Sequence, residues 1–151
     1  MTKCIRFLLA DDDADDVSIF KEVLQEVSPS ANFMAAADGQ EALEILKHQQ
    51  TNFPDIIFLA LTMPRMSGKE CLTALKSDAQ LQRIPVIMYT TSSQSKDIEE
   101  TMQKGALCFI TKPSSVNELK TILSSISQNV HGNLERCLRT LSDTSNTFIV
   151  C

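Results

Sequence analysis

The chain has no apolar run approaching the length of a membrane-spanning helix, no Cys-x-x-Cys pair, no internal repeat, no low-complexity segment and no excess of basic residues. Each absence removes a class of function. A net charge of -5 and a pI near 5.0 argue against binding nucleic acid or an anionic membrane through a basic surface. The five cysteines, Cys4, Cys71, Cys108, Cys137 and Cys151, are odd in number and widely spread. They suggest neither a disulfide framework nor a zinc site, and read as small buried hydrophobes plus one exposed terminal thiol. The N-terminus, Met1-Thr-Lys-Cys-Ile-Arg6, runs into a strand pattern instead of a secretory leader, so a cytoplasmic location is expected. What is present is 151 residues, 43% apolar and 22% charged, enough for one domain with a proper core.

The central stretch runs from Phe53 to Lys69. Residues 56–59 are continuously apolar, too short for a helix and preceded by Pro54, so they read as a strand buried on both faces of a parallel sheet. In open parallel sheets ligands bind beyond the carboxyl ends of the strands, which places functional groups at residues 60–64. A polar nucleophile or ligand is expected there, yet the chain supplies the methyl group of Ala60.

The remainder alternates strand and helix. Residues 4–10 form a first strand that runs into Asp11, Asp12, Asp13, Asp15 and Asp16. The last three suit the cap and first turn of a helix, where its dipole favours anions. Asp11 and Asp12 fall at the strand's end and offer oxygen ligands for a hard divalent cation such as magnesium. Val17, Phe20, Leu24 and Val27 then recur at helical spacing, followed by a weak strand near an edge over 31–36 and a helix carrying Ala42, Leu43, Ile45 and Leu46. After the central strand come a helix through Cys71, Leu72 and Leu75, a strand over 84–91, a poorly amphipathic helix over 96–104, a strand over 106–110 and a helix presenting Leu119, Ile122, Leu123 and Ile126. Five strand-helix alternations imply a doubly wound five-stranded parallel sheet. From Asn129 the pattern changes: Leu134, Cys137, Leu138 and Leu141 suggest a short extra helix, and a polar stretch leads to an apolar, strand-like tail over 148–151. That tail either folds back on its own domain or adds to a second subunit, giving a homodimer.

Four segments carry a resemblance: Leu8-Leu-Ala-Asp-Asp12, Pro54-Asp-Ile-Ile-Phe-Leu-x-Leu-Thr-Met-Pro-Arg-Met-Ser-Gly68, Ile84-Pro-Val-Ile-Met-Tyr-Thr-Thr91 and Gly105-Ala-x-x-Phe-Ile-Thr-Lys-Pro113. In order and at these spacings, they resemble the receiver domain of bacterial two-component response regulators over residues 4–128. The resemblance implies a flavodoxin-like, CheY-like α/β fold with strand order 2-1-3-4-5. It implies that residues 1–128 form the receiver and 129–151 an extension with no output domain. Asp11, Asp12 and the backbone carbonyl of Thr62 would hold magnesium. Thr90 would bond a phosphoryl oxygen, Lys112 would pair with the phosphoryl group, and Pro113 would follow it through a cis bond. Phe109 would be the aromatic switch. The implied partners are a sensor histidine kinase or phosphotransfer protein and a downstream protein target, and no enzymatic activity of its own is expected.

One position departs from the pattern: the family's phosphoacceptor aspartate falls at Ala60. Phosphoryl transfer needs an oxygen nucleophile, and a methyl group has none. Asp55 lies five residues back, roughly 16 Å along an extended strand, too far to substitute. Magnesium binding should weaken with one protein oxygen gone, while Lys112 keeps Asp11 and Asp12 as partners. The inactive-like conformation, with no phosphoryl group drawing Thr90 inward, is expected. The alanine reflects natural loss or deliberate replacement of a carboxylate, and the intact remainder of the site favours a recent or deliberate change. Two other readings are a phosphorylation-independent interaction module and, from Asp11-x-Asp13, a phosphatase of the haloacid-dehalogenase type. Ala14, the lack of a late acidic pair and the lack of a cap domain argue against the phosphatase.

Overall fold

The computed structural model of the protein describes residues 4–48 and 52–151, so the leader reading at residues 1–3 lies outside the described residues. Elements alternate as β1 (Arg6–Ala10), α1 (Ala14–Val27), β2 (Asn32–Ala36), α2 (Gly39–His48), β3 (Ile56–Leu59), α3 (Gly68–Ser77), β4 (Val86–Thr90), α4 (Ser95–Gln103), β5 (Cys108–Thr111) and α5 (Val116–Asn129). Two elements follow, α6 (Leu134–Thr144) and β6 (Ile149–Val150). The sheet has six strands in the order β2-β1-β3-β4-β5-β6. The first five are parallel, as expected, and β2 lies at an edge.

The sixth strand corrects the five-stranded expectation. The tail folds back, and β6 pairs antiparallel with β5, Phe109 opposite Val150 and Ile110 opposite Ile149. The reason lies in α6, whose Leu134, Leu138 and Leu141 are buried in the cluster that also holds Leu119, Ile122, Leu123 and Ile126 of α5. Once α6 lies on α5, the chain after it emerges beside β5, the open edge of the sheet. The Glu118 carboxylate accepts hydrogen bonds from the hydroxyls of Ser145 and Thr147 and fixes that path.

This return also corrects the reading of the cysteines. The β5–β6 register sets Cys108 opposite Cys151, and the two form a disulfide with a Cα separation of 4.3 Å. Of the others, Cys71 is buried, Cys137 is half-buried and Cys4 is exposed.

Side chains alternate across the strands, so each face gains its own core. Phe7, Leu9, Ile56, Phe58, Ile87, Tyr89, Cys108 and Ile110 meet α1, α5 and α6. Leu8, Ala10, Ile57, Leu59, Val86, Met88 and Phe109 meet α2 and α3, with Ile98 and Met102 of α4 packed against them. The first face is stiffened by Phe20, whose ring meets those of Phe58 and Tyr89 edge-on at 5.1 and 5.6 Å.

Local chemistry sets the helix starts. Asp13 caps α1, accepting from the backbone N–H of Asp15 and Asp16. Ser67 and Glu70 form a reciprocal capping box on α3. In α4 a polar residue, Thr101, is fully buried; its hydroxyl donates back to the carbonyls of Asp97 and Ile98, which removes the cost of burying it. Gly105 closes α4 at φ 105°, a conformation that disfavours side chains. Among the described residues, no helix is long and apolar enough to cross a membrane.

Candidate functional site

The carboxyl ends of β1, β3, β4 and β5 converge on one open cleft of about 500 Å³. Asp11, Asp12, Ala60, Thr62, Thr90 and Lys112 all line it, so six of the seven positions singled out in the sequence come together. The seventh, Phe109, lies behind the cleft in the α2/α3 core. Asp13, Asp16 and the hydroxyl-rich segment from Thr91 to Gln94 complete the walls.

Asp11 is almost wholly buried, and its two oxygens have different duties. Oδ1 accepts from the backbone N–H of Asp13 at 3.0 Å, and Oδ2 stands 2.7 Å from Lys112 Nζ. The same ammonium stands 2.6 Å from Asp16 Oδ2 and 5.7 Å from the centre of the Tyr89 ring. Burial works to lower the Lys112 pKa, but the hydrogen bonds to Asp11 and Asp16 more than offset it, so the lysine is held above its ordinary value. Burial pushes the Tyr89 hydroxyl up, and the Asp16 and Asp11 charges add to the effect. Lys112 therefore pairs with Asp11, as the sequence suggested, but its second partner is Asp16 in place of the exposed Asp12. The sequence pattern assigns Asp16 to the helix start alone. The missed signal is its position in the first turn of α1, on the side facing Lys112.

Ala60 is nearly buried at the end of β3, where its N–H donates to the carbonyl of Ala10. The loop beyond it is tightly determined. Gly68 donates its N–H to the carbonyl of Leu61, and a Cβ on Gly68 would come within 2.1 Å of the carbonyl oxygen of Ala60. Arg65 adopts φ 62°, unusual for a residue with a side chain. Its guanidinium meets the buried Asp38 carboxylate through two bonds of 2.9 and 3.2 Å, which ties this loop to the start of α2. That hydrogen bond, with a further one from the Glu41 N–H, holds the Asp38 carboxyl below the usual carboxylate range.

The β4–α4 loop is held in a similar way. The Thr90 hydroxyl accepts from the N–H of Ser92 at 3.3 Å, and the carbonyl of Thr90 accepts from the Lys112 N–H at 2.7 Å. The Ser92 carbonyl accepts from the Thr111 hydroxyl, and the Ser92 hydroxyl donates to Asp97. Asp97 and Glu100 both pair with Lys69 of α3, at 2.8 and 2.7 Å. The Lys69 bonds lower the carboxyl pKa of each. One chain of polar contacts thus runs from the cleft into α4.

One expectation is corrected, that of the cis bond before Pro113. The Lys112–Pro113 bond is trans, since among the described residues there is no cis peptide bond. Phe109 is fully buried, and the Thr90 hydroxyl is bonded to the Ser92 N–H of its own loop. Phe109 lies opposite Val150, which packs against the same cluster from β6 and closes the sheet edge over it.

The donor set can be tested against a divalent cation. Among the described residues, no group of three or more His, Cys, Asp or Glu side chains is placed to share one. Asp11 Oδ1 accepts from the Asp13 N–H, while its buried Oδ2 pairs with the Lys112 charge but receives no well-aligned hydrogen bond. The cleft sets four carboxylates, Asp11, Asp12, Asp13 and Asp16, against the one ammonium of Lys112, so its charge suits a cation, while Lys112 stands on the Asp11 oxygen that a metal would share.

Comparison with known proteins agrees with this geometry. Residues 7–124 match the response regulator receiver domain family. The chain is 28% identical to response regulator Rcp1 of Synechocystis sp. over 123 residues, covering 79% of this chain and 84% of Rcp1. It is 30% identical to chemotaxis protein CheY of Pseudomonas aeruginosa over 128 residues, covering 85% of this chain and all of CheY. Among solved structures, the phosphorylated cyanobacterial phytochrome response regulator RcpA superposes with a TM-score of 0.76 at 29% identity, covering 83% of this chain and 93% of RcpA. The Mn2+-bound form of Rcp1 gives 0.73 at 26%, covering 82% and 92%. Because the family match takes in β1 through most of α5, with the acidic pair, Thr90 and Lys112 on one cleft, this chain belongs to the receiver domain family of two-component response regulators.

Proposed function

We propose that this receiver takes part in two-component signalling without accepting a phosphoryl group at position 60. The observation that carries the reading is the place of Ala60: it ends β3 on the cleft lined by Asp11, Thr90 and Lys112, where an in-line nucleophile would have to stand. The lysine that would meet a phosphoryl group is instead neutralised by Asp11 and Asp16. Magnesium would find Asp12 and the Thr62 carbonyl at the cleft but would have to displace Lys112 from Asp11, so binding is weak.

Output passes through protein contact, with a histidine kinase or phosphotransfer protein on the input side and a protein target on the other. The output face comprises α4, β5 and α5, now bordered by β6. This makes the chain a signalling module and not an enzyme, working in the cytoplasm.

The test is intact mass after incubation with magnesium and acetyl phosphate, comparing the chain with its Ala60→Asp variant. One phosphoryl group gained only by the variant supports a competent cleft blocked at a single atom group. A gain by the unsubstituted chain would overturn the reading. No gain by either would favour an interaction module whose cleft has diverged further.

A further inference from the structure

We propose that Cys108 and Cys151 are a thiol–disulfide switch that clamps β6 onto β5 and, through Val150, holds Phe109 in its buried position. The reactants are low-molecular-weight thiols and disulfides of the glutathione class. The consequence for Phe109 rests on reading that ring as the receiver's switch; the clamp itself does not.

The register makes the bond. Thr111 donates its N–H to the carbonyl of Phe148, and Phe109 lies opposite Val150. The intervening opposed pairs, Ile110 with Ile149 and Cys108 with Cys151, fall at the close, non-hydrogen-bonded spacing of an antiparallel ladder. Their Cα separation of 4.3 Å fits that spacing. The two side chains therefore rise on the same face and meet.

The bond has a specific burden because β6 is so short. Two residues of strand hold little by themselves. The neighbouring α6 has its own apolar anchors, and Thr147 and Ser145 are tied to Glu118. Reduction therefore frees only the stretch from Phe148 onward and leaves α6 in place. That stretch covers both faces of the sheet edge, Ile149 beside the α5/α6 core and Val150 beside the core that holds Phe109. Its release uncovers the Thr111 N–H and gives the Phe109 ring room to turn.

Exposure directs the chemistry. Cys151 is exposed and Cys108 is fully buried, so an incoming thiolate meets the Cys151 sulfur. Attack there forms a mixed disulfide and expels the Cys108 thiolate, which takes up the proton that the incoming thiol gave up. A second small thiol attacks the mixed disulfide, releases the Cys151 thiolate, which is protonated in turn, and leaves as the small oxidised disulfide. Two electrons pass from two small thiols to the protein. The oxidised small disulfide runs the steps in reverse. Cys71 does not compete, since it is buried and its thiol is pushed up to about 12. Disulfides that form in reducing compartments are commonly transient and redox-sensing, in keeping with a signalling role.

The experiment poises the full chain at a series of reduced-to-oxidised glutathione ratios, maps disulfides by non-reducing peptide mass spectrometry and follows amide hydrogen exchange in parallel. The expected result is a Cys108–Cys151 linkage that disappears as the thiol fraction rises. With it, exchange at Thr111 should quicken by about tenfold or more, while the α6 amides hold. Cys151→Ser, a change at an exposed site, should show the fast exchange at every ratio, and Cys137→Ser should behave as the unsubstituted chain. Failure of the linkage to form with oxidised glutathione would overturn the proposal, as would Thr111 exchange that ignores the linkage. Failure of the Ala60 reading would appear separately, as phosphoryl uptake by the unsubstituted chain.

Discussion

Lys112 Nζ stands 2.6 Å from Asp16 Oδ2 and 2.7 Å from Asp11 Oδ2, so a single ammonium group joins the end of β1, the start of α1 and the end of β5. The two carboxylates are unequal, since the Asp11 side chain is 1% exposed and that of Asp16 is 33% exposed. Lys112→Ala leaves a buried charge without a partner and should cost about 3 kcal/mol. Asp16→Ala removes a partly exposed partner and should cost about 1 kcal/mol or less. Urea denaturation of both variants checks this, and equal costs would show that the Asp16 contact carries the whole of the Lys112 contribution.

The raised Lys112 pKa has a defined sign in pH dependence. Its contribution is complete below the ordinary lysine value of 10.5 and is lost as pH rises through the higher folded value. The stability gap between the chain and Lys112→Met should therefore be flat at neutral pH and narrow only in strong alkali, read from denaturation midpoints.

Asp38 has the opposite sign. Its carboxyl is held below the ordinary 3.8 by Arg65, so the stabilisation is present above 3.8 and disappears as pH falls through the lower folded value. Asp38→Asn should flatten the acid limb of the stability profile. An unchanged limb would mean that the Arg65 contact is not formed in solution.

Gly68 leaves no room for a side chain beside the Ala60 carbonyl. Gly68→Ala should force the β3–α3 loop outward at a cost of about 2 kcal/mol. Thermal melting reads the cost, and in an Ala60→Asp background the same change should slow labelling by acetyl phosphate.

Leu138 is fully buried between α6 and the α5 side of the sheet. Leu138→Ala should cost about 3 kcal/mol and lower a single cooperative transition. A separate early transition would show α6 to be an independent appendage.

The sequence by itself determined the alternation of five strands and five helices, because buried parallel strands and one-sided helices leave distinct apolar periods. It also placed Asp11, Asp12, Ala60, Thr62, Thr90 and Lys112 at strand ends, and parallel pairing then had to bring them together. Only the tertiary structure decided the partners made across the chain. Asp16 reads as a helix-start residue until α1 packs and turns it toward Lys112, 96 positions away. Cys108 and Cys151 read as unrelated thiols until α6 docks on α5 and the antiparallel register sets them face to face. The pairing of Phe109 with Val150 follows from the same return of the chain. Local patterning encodes which face of an element is apolar, whereas these contacts depend on where two distant elements meet, and no periodicity within either one records that.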